Sequence, residues 1–220
     1  MKIRTIFLAL FGLFAAFSLS AQTISIGVRG GYTLSELVLH EDDLAVDGEE
    51  NVELDRDFKP LDGFHIGLDT RTAWGSRWAL LLGVQYHQKG SKQPAFFPTG
   101  PSEGKYITNY VTVPLLAEFS IWKGLCVQAG AEAGYLVNAV LKVGGEKADL
   151  DDFGLYKNFD LGFAAGLEYR TERGFFAGLR QTWGIANIYD AVLIDTGGGT
   201  QEVEAHNRAL QISAGYRYIW

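Results

Sequence analysis

The most regular feature of this chain is a two-residue alternation of apolar side chains with small or polar ones. In its last stretch, Asn207 to Trp220, one parity carries Leu210, Ile212, Ala214, Tyr216, Tyr218 and Trp220, and the other carries Ala209, Gln211, Ser213, Gly215 and Arg217. Successive side chains of a β-strand point to opposite faces, so this stretch is predicted to be a strand with one apolar face. Similar alternation begins near residues 24, 64, 78, 110, 125, 159 and 175, which makes eight predicted strands.

The second face of these strands is rich in Gly, Ala, Ser and Thr, with isolated charges among them. A soluble sandwich would carry long polar side chains there. Small residues suit the narrow interior of a small barrel, and the apolar parity then faces lipid. Three alternate aromatics at the chain end are typical of an interfacial girdle. The sequence therefore predicts an all-β fold, an eight-stranded antiparallel up-and-down transmembrane β-barrel.

The connections between the strands alternate in length, which supports the same fold. Residues 75–77, 122–124 and 170–174 form short connections, whereas 35–63, 88–105, 139–158 and 185–206 are long and polar. Bacterial outer-membrane barrels have short periplasmic turns and long extracellular loops. We therefore expect the cell outer membrane as the location, with Trp74 opposite Trp78 at the periplasmic interface and Trp122 at the next turn.

The N-terminus predicts a secretory signal peptide over residues 1–21, followed by an outer-membrane β-barrel domain over residues 22–220. Lys2 and Arg4 precede a run of twelve apolar residues and then small residues, and cleavage fits after Ser20 or after Ala21. A membrane-spanning helix needs about 20 apolar residues, so this run is too short.

The charge of the chain after removal of the leader argues against a nucleic-acid partner. Loss of the two basic residues, Lys2 and Arg4, takes the formal charge from -7 to -9. The single cysteine, Cys126, cannot form an intrachain disulfide and is interpreted as a small apolar residue.

Several stretches resemble the PorT-like outer-membrane β-barrel family of Gram-negative bacteria. They are residues 26–32, 110–116, 163–169, 178–188 and 215–218, and the most distinctive pieces are Val113-Pro114-Leu115-Leu116 and Gly184-Ile185-Ala186-Asn187-Ile188. The resemblance implies an outer-membrane barrel with no shared catalytic site. The family's named member takes part in protein secretion. Barrels that resemble this chain commonly end on an aromatic residue, so Trp220 is expected to be recognised by the barrel assembly machinery.

The long first loop departs from the family pattern in its acidity. Its carboxylates are Glu36, Glu41, Asp42, Asp43, Asp47, Glu49, Glu50, Glu53, Asp55 and Asp57. Such a loop supplies oxygen ligands for divalent cations, but placing Gly48 at the sixth position of a calcium loop puts Ala45 at the third and Leu54 at the twelfth. We interpret it as a solvated surface loop. The alternatives are weak Ca²⁺ or Mg²⁺ binding, or bridging to the surrounding surface. The loop is also a candidate site for a protein partner.

Two histidines, His65 and His87, share the interior parity and are predicted to lie opposite each other near the outer mouth. With an acid from the first loop they could hold a metal, and with Ser91 or Asp62 they could form a hydrolytic site at the rim. The sequence has no specific third ligand and no nucleophile motif, so two polar rim residues are expected, with no cofactor, metal or catalytic site.

The interior parity also carries charges of both signs, which we expect to pair and to plug the barrel. They are Arg29, Arg71, Arg180 and Arg217 against Asp69, Glu118, Glu132, Asp160 and Glu168. Arg29 and Arg217 are predicted to lie close together, because the first and last strands close the barrel, with Glu118 and Glu132 as their partners. The same residues could instead serve as a proton or ion path.

These features predict a non-enzymatic outer-membrane barrel that acts as a binding, envelope or secretion-associated component through its extracellular loops, with outer-membrane lipid around it. A rim-located enzyme, either a hydrolase or a lipid-modifying one, is the alternative. A soluble lipocalin-like carrier is a third class, which would purify without detergent.

Overall fold

A computed structural model describes residues 22–40, 59–97, 100–150, 154, 156–189, 193–195, 200–202 and 204–219. The predicted signal peptide, the acidic residues between positions 41 and 58, and Trp220 lie outside these residues. Within them there is no helix that is long and apolar enough to cross a membrane.

The described residues form eleven strands, of which eight are long enough to build the barrel wall. The strands are β1 (Gln22–His40), β2 (Lys59–Trp74), β3 (Trp78–Phe97), β4 (Gly100–Trp122), β5 (Leu125–Val143), β6 (Glu146–Asp149), β7 (Phe159–Arg170), β8 (Phe175–Gly184), β9 (Leu193–Asp195), β10 (Thr200–Glu202) and β11 (Glu204–Ile219).

The wall closes on itself through pairing of the first and last long strands. β1 pairs with both β2 and β11, and the order continues through β3, β4, β5, β7 and β8 back to β11. Every pairing is antiparallel. The short strand β6 extends the sheet beside β5, and β9 with β10 forms a separate hairpin. The predicted eight-stranded antiparallel up-and-down barrel is confirmed.

The two faces of the wall follow the alternation of the sequence. On β1, the outward side chains of Ile24, Ile26 and Val28 are exposed, whereas Ser25 and Arg29, which occupy alternate positions, are buried. Large exposed apolar side chains occur on all eight wall strands, so the outer surface is a continuous apolar band. A surface of this kind is stable in hydrocarbon and unstable in water, which is why this parity faces lipid.

The short turns carry the tryptophans that the sequence indicated. Trp74 lies opposite Trp78 across the turn of residues 75–77, as predicted. The second turn is shorter than expected, because β4 runs through Trp122 and leaves only Lys123 and Gly124 between the strands. Gly124 takes a left-handed φ of 78°, which allows so tight a connection. Trp78 and Trp122 are both exposed, as an aromatic belt requires.

The predicted long loops are wrong in extent, because the strands continue well beyond the apolar band. Residues 88–105 were expected to be a loop, yet β3 reaches Phe97 and β4 begins at Gly100. β1 likewise continues to His40. In these extensions the outward face no longer contacts lipid and carries polar residues, while inward residues such as Lys89 and Ser91 are polar as well. The alternation of side-chain polarity therefore disappears while the backbone ladder persists. Sequence periodicity therefore detects only the membrane part of each strand.

Leu82→Arg tests which face contacts lipid. Leu82 lies on the outward face of β3 and is 36% exposed. An arginine there is expected to lower the free energy of unfolding by about 2–4 kcal/mol, because its charge would enter hydrocarbon. The measurement is denaturant unfolding in lipid bilayers.

The matched control is Lys92→Arg, on the same strand and the same face but beyond the apolar band. It should change the free energy of unfolding by less than about 0.5 kcal/mol. An equally small change for Leu82→Arg would mean that the apolar face does not lie in lipid.

Candidate functional site

Near the periplasmic end of the interior, two arginines and two carboxylates form a closed ring. Arg29 Nε donates to Asp69 Oδ2 at 2.8 Å, and Arg29 Nη2 donates to Glu168 Oε2 at 2.9 Å. Arg217 Nη2 donates to Asp69 Oδ1 at 2.8 Å, and Arg217 Nη1 donates to Glu168 Oε1 at 2.9 Å. Both guanidinium groups also lie near the Phe176 ring, at 5.0 and 4.6 Å from its centroid. We call these four charged residues the basal quartet.

The predicted proximity of Arg29 and Arg217 is confirmed, but their predicted partners, Glu118 and Glu132, are wrong. The register explains the choice of Asp69, because Gly27 on β1 lies opposite both Asp69 on β2 and Arg217 on β11. A Cβ atom at Gly27 would lie only 3.0 Å from Asp69 Oδ1 and 3.3 Å from Arg217 Nε. The glycine therefore leaves the space in which the carboxylate and the guanidinium meet.

Glu118 holds a second cluster at the periplasmic end. Its Oε1 accepts from Arg71 Nε at 2.7 Å and from Arg170 Nη2 at 3.1 Å, and its Oε2 accepts from Gln128 Nε2 at 3.1 Å. Arg170 Nη2 also lies 3.1 Å from the buried Cys126 sulfur. Arg170 was not among the predicted interior charges, because it ends β7 and was assigned to a turn.

Glu132 belongs to a third cluster, nearer the extracellular end. Lys89 Nζ donates to Glu132 Oε1 and to Asp160 Oδ2, both at 3.2 Å, and lies 5.3 Å from the centroid of the Tyr110 ring. Asn207 Nδ2 donates to Asp160 Oδ2 at 2.9 Å. Lys89 was missed because it fell in a predicted loop, whereas in the structure it is an interior residue of β3. Its burial requires the two carboxylates beside it.

The two histidines lie opposite each other as predicted, with ring centroids 5.9 Å apart. The prediction that they lie at the rim is wrong, since both are buried in the interior. His65 lies 3.1 Å from the Thr33 hydroxyl and 3.0 Å from the Ser213 hydroxyl, and His87 Nδ1 lies 3.7 Å from Glu132 Oε1. The rings thus contact wall residues of the interior.

The described residues do not bring together the particular metal and hydrolytic arrangements that were considered from the sequence. Among these residues, no group of three or more His, Cys, Asp or Glu side chains could hold a metal ion. Asp62 accepts from Lys92 Nζ at 2.8 Å and from the Tyr32 hydroxyl, and the buried Ser91 hydroxyl accepts from Gln93. The structure therefore does not bring these two residues into hydrogen-bonding contact with either histidine.

Arg180 differs from the other interior arginines, and the prediction that it pairs with a carboxylate is wrong. Its Nη2 donates to Gln128 Oε1 at 3.1 Å, while its Nε and Nη1 have no hydrogen-bond partner among the described residues. Its side chain is nevertheless buried. The cross-strand neighbour on β11 is Gln211, a neutral residue that bonds to His87.

The extracellular end carries a small apolar cluster outside the membrane part of the wall. Leu37, Ile188 and Ala205 are buried together, with the rings of Tyr156 and Tyr189 packed against them. The two ring centroids are 5.6 Å apart. Burial, and to a smaller extent the neighbouring Tyr189, raises the pKa of Tyr156. A cavity of about 210 Å³ lies beside this cluster, lined by Tyr135, Leu136, Val137, Leu150, Gly154, Tyr156 and Asn158.

A closed antiparallel wall with an apolar outer band is the structure of an outer-membrane barrel, and a comparison with protein families gives the same result. The family model for the outer membrane protein beta-barrel domain matches residues 20–190. The chain belongs to this family. Its location is the outer membrane. No curated protein matches the chain.

The chain is also similar to several solved outer-membrane proteins, at low sequence identity. Ail, the attachment invasion locus protein of Yersinia pestis, is 16% identical with a TM-score of 0.46, covering 88% of this chain and 98% of its own. Neisserial surface protein A is 13% identical with a TM-score of 0.47, covering 87% and 95%. OprG from Pseudomonas aeruginosa is 12% identical with a TM-score of 0.42, covering 88% and 95%.

Proposed function

We propose that this protein is a non-enzymatic envelope component whose barrel is closed to solutes and whose extracellular end binds a partner. The observation that carries the proposal is the filling of the interior by the basal quartet and by the clusters around Glu118 and Glu132. Each of these links side chains from different strands across the lumen. An open channel would need these groups to face water, whereas all of the carboxylates and most of the cations among them are buried.

Apolar packing adds to the filling of the interior. Leu81, Leu116 and Ala164 project inward from three strands and form one completely buried cluster. The ion path considered from the sequence would have to pass this cluster and the salt bridges beside it. Breaking buried ion pairs costs several kcal/mol for each conduction event, which favours a plug over a path.

Binding is assigned to the extracellular end because the wall extends there as polar strands rather than ending in short turns. The hairpin of β3 and β4 keeps its pairing out to Phe97 and Gly100. The acidic segment between β1 and β2 is a candidate site for a protein partner. In a more specific form of the proposal, the protein acts beside a protein-secretion system. The stretches that resemble the PorT-like family, above all Val113-Pro114-Leu115-Leu116, support this form.

Planar-bilayer recording of the purified full-length protein tests whether the barrel is closed. We expect no conductance above the lipid background, with a general porin reconstituted in parallel as the positive control. Discrete conductance steps from the wild-type protein would overturn the closed-barrel proposal. Turnover of lipid A or of a peptide substrate by the same preparation would overturn its non-enzymatic part.

A further inference from the structure

Five lysines form a single row across five neighbouring strands at the extracellular end. Lys59 on β2 lies opposite Lys92 on β3, and Lys92 lies opposite Lys105 on β4. Lys105 in turn lies opposite Lys142 on β5, which lies opposite Lys147 on β6. Residues directly opposite each other in a β-ladder project from the same face. We call these five residues the lysine row.

The lysine row is not a consequence of a basic composition. The chain has a formal net charge of -7, and five of its nine lysines fall in this one row. Like charges placed directly opposite each other on neighbouring strands destabilise a sheet. Four such contacts in succession have no structural benefit of their own, and this arrangement favours a role in binding negative charge.

The row has little internal compensation among the described residues. Lys92 donates to Asp62 at 2.8 Å, in an exposed pair that contributes little in water. Lys59, Lys105 and Lys147 are exposed. Glu103 and Asp149 lie two residues away from the row on the same face of β4 and β6. The surface therefore retains a net positive charge at the row itself.

The face and height of the row indicate the kind of anion that it meets. Lys142 has the same parity as the outward residue Val140, and the row continues the lipid-facing side of the wall. On β5 it lies five residues beyond Val137, which is 53% exposed in the apolar band. At about 3.3 Å per residue and a tilt of about 40°, this places the row about 12 Å above the apolar band. The long lysine stems allow the ammonium groups to reach back toward the interface.

We propose that the lysine row binds phosphate groups carried by lipids of the outer leaflet. A row of ammonium groups on the lipid-facing side, at the level of the headgroups and sugars, is complementary to phosphates held in a membrane plane. A soluble polyanion would not require the outward face or this height. The proposal depends on the outer-membrane location and not on the closed lumen, so a conductance result does not affect it.

The test compares two triple variants with the same change in charge. Lys59→Gln, Lys105→Gln and Lys147→Gln together remove the three exposed members of the row. Arg77→Gln, Lys123→Gln and Arg173→Gln together remove three exposed cations from the periplasmic turns. Native mass spectrometry of the full-length protein, released from nanodiscs containing diphosphoryl lipid A, measures the bound lipid. Heat-modifiable gel migration verifies that both variants are folded.

We expect the row variant to lose roughly 10- to 100-fold in affinity for diphosphoryl lipid A, and the turn variant to stay within about twofold of wild type. For dephosphorylated lipid A, the affinity of the wild-type protein should be no higher than that of the row variant. Equal binding by both triple variants, or tighter row-dependent binding of soluble polyphosphate than of lipid A, would overturn the proposal. The proposal would also be overturned if lipid A bound only after deletion of residues 41–57, because the acidic segment, and not lipid, would then be the ligand of the lysine row.

Discussion

Deleting Tyr218, Ile219 and Trp220 is expected to abolish insertion into the outer membrane. In the intact chain, Tyr218 pairs with Ile26 and Ile219 pairs with Ser25, so these residues hold the periplasmic end of the seam between β11 and β1. Without them, β1 still pairs with β2, but its backbone groups on the β11 side have no partner at the membrane edge, and lipid cannot satisfy them. The truncated chain also lacks the aromatic terminus expected to be recognised by the assembly machinery. We expect it to accumulate in the periplasm and to be degraded.

Two measurements on intact cells test this expectation: heat-modifiable gel migration, and surface protease cleavage of the acidic segment between β1 and β2. The control is Trp220→Phe, which keeps an aromatic terminus and a full-length β11, and which should insert normally. A truncated protein that inserts with wild-type heat modifiability would contradict the role assigned to the closing strand.

Glu168→Gln should destabilise the folded barrel by about 3–5 kcal/mol. The substitution leaves Arg29 and Arg217 buried with Asp69 as the one remaining carboxylate of the basal quartet. An uncompensated buried charge is costly, because the arginines have left water without regaining their full set of partners. The measurement is denaturant unfolding of the refolded barrel in bilayers, monitored by heat-modifiable migration.

The control for this prediction is Glu36→Gln, which removes one partner of the Arg208–Glu36 pair. That pair is separated by 3.5 Å, and its side chains are 48% and 33% exposed. Water and salt screen such a pair, so the expected change is below about 1 kcal/mol. Equal effects of the two substitutions would show that the basal quartet is not shielded from water.

The membrane part of the fold was predictable because the bilayer imposes a strict pattern. Successive side chains of each wall strand face lipid and the narrow interior in turn. On β1, the apolar Ile24, Ile26 and Val28 alternate in this way with inward residues such as Ser25 and Arg29. The paired tryptophans, Trp74 and Trp78, followed from the length of the turn. Beyond His87 on β3, the inward residues Lys89 and Ser91 are polar although they are buried, and the outward residue Lys92 is polar as well. The polarity of the side chains therefore does not alternate there, and this part of the strand was assigned to a loop.

The sequence largely predicted which charged residues lie in the interior, but not which of them form ion pairs with each other. Most of the interior charges were identified from parity, although Lys89 and Arg170 were missed, but which carboxylate pairs with which arginine depends on the register of the strands around the barrel. The absence of a side chain at Gly27 brings Asp69 to Arg217, an effect that no local pattern encodes. The lysine row was missed for the same reason, since its members are widely separated in sequence and meet only through the register.

Spin-label accessibility along β3 tests most directly whether a lipid-facing wall surrounds a filled interior. Single cysteines at Leu82, Val84 and Gln85, in a Cys126→Ala background, would carry a nitroxide in bilayers. We expect oxygen, which concentrates in lipid, to relax the labels at Leu82 and Val84, and a water-soluble nickel complex to reach neither. The label at Gln85, which is 1% exposed, should be shielded from both reagents. Access of the nickel complex to Leu82 and Val84 would contradict the membrane barrel, and access to Gln85 alone would contradict the filled interior.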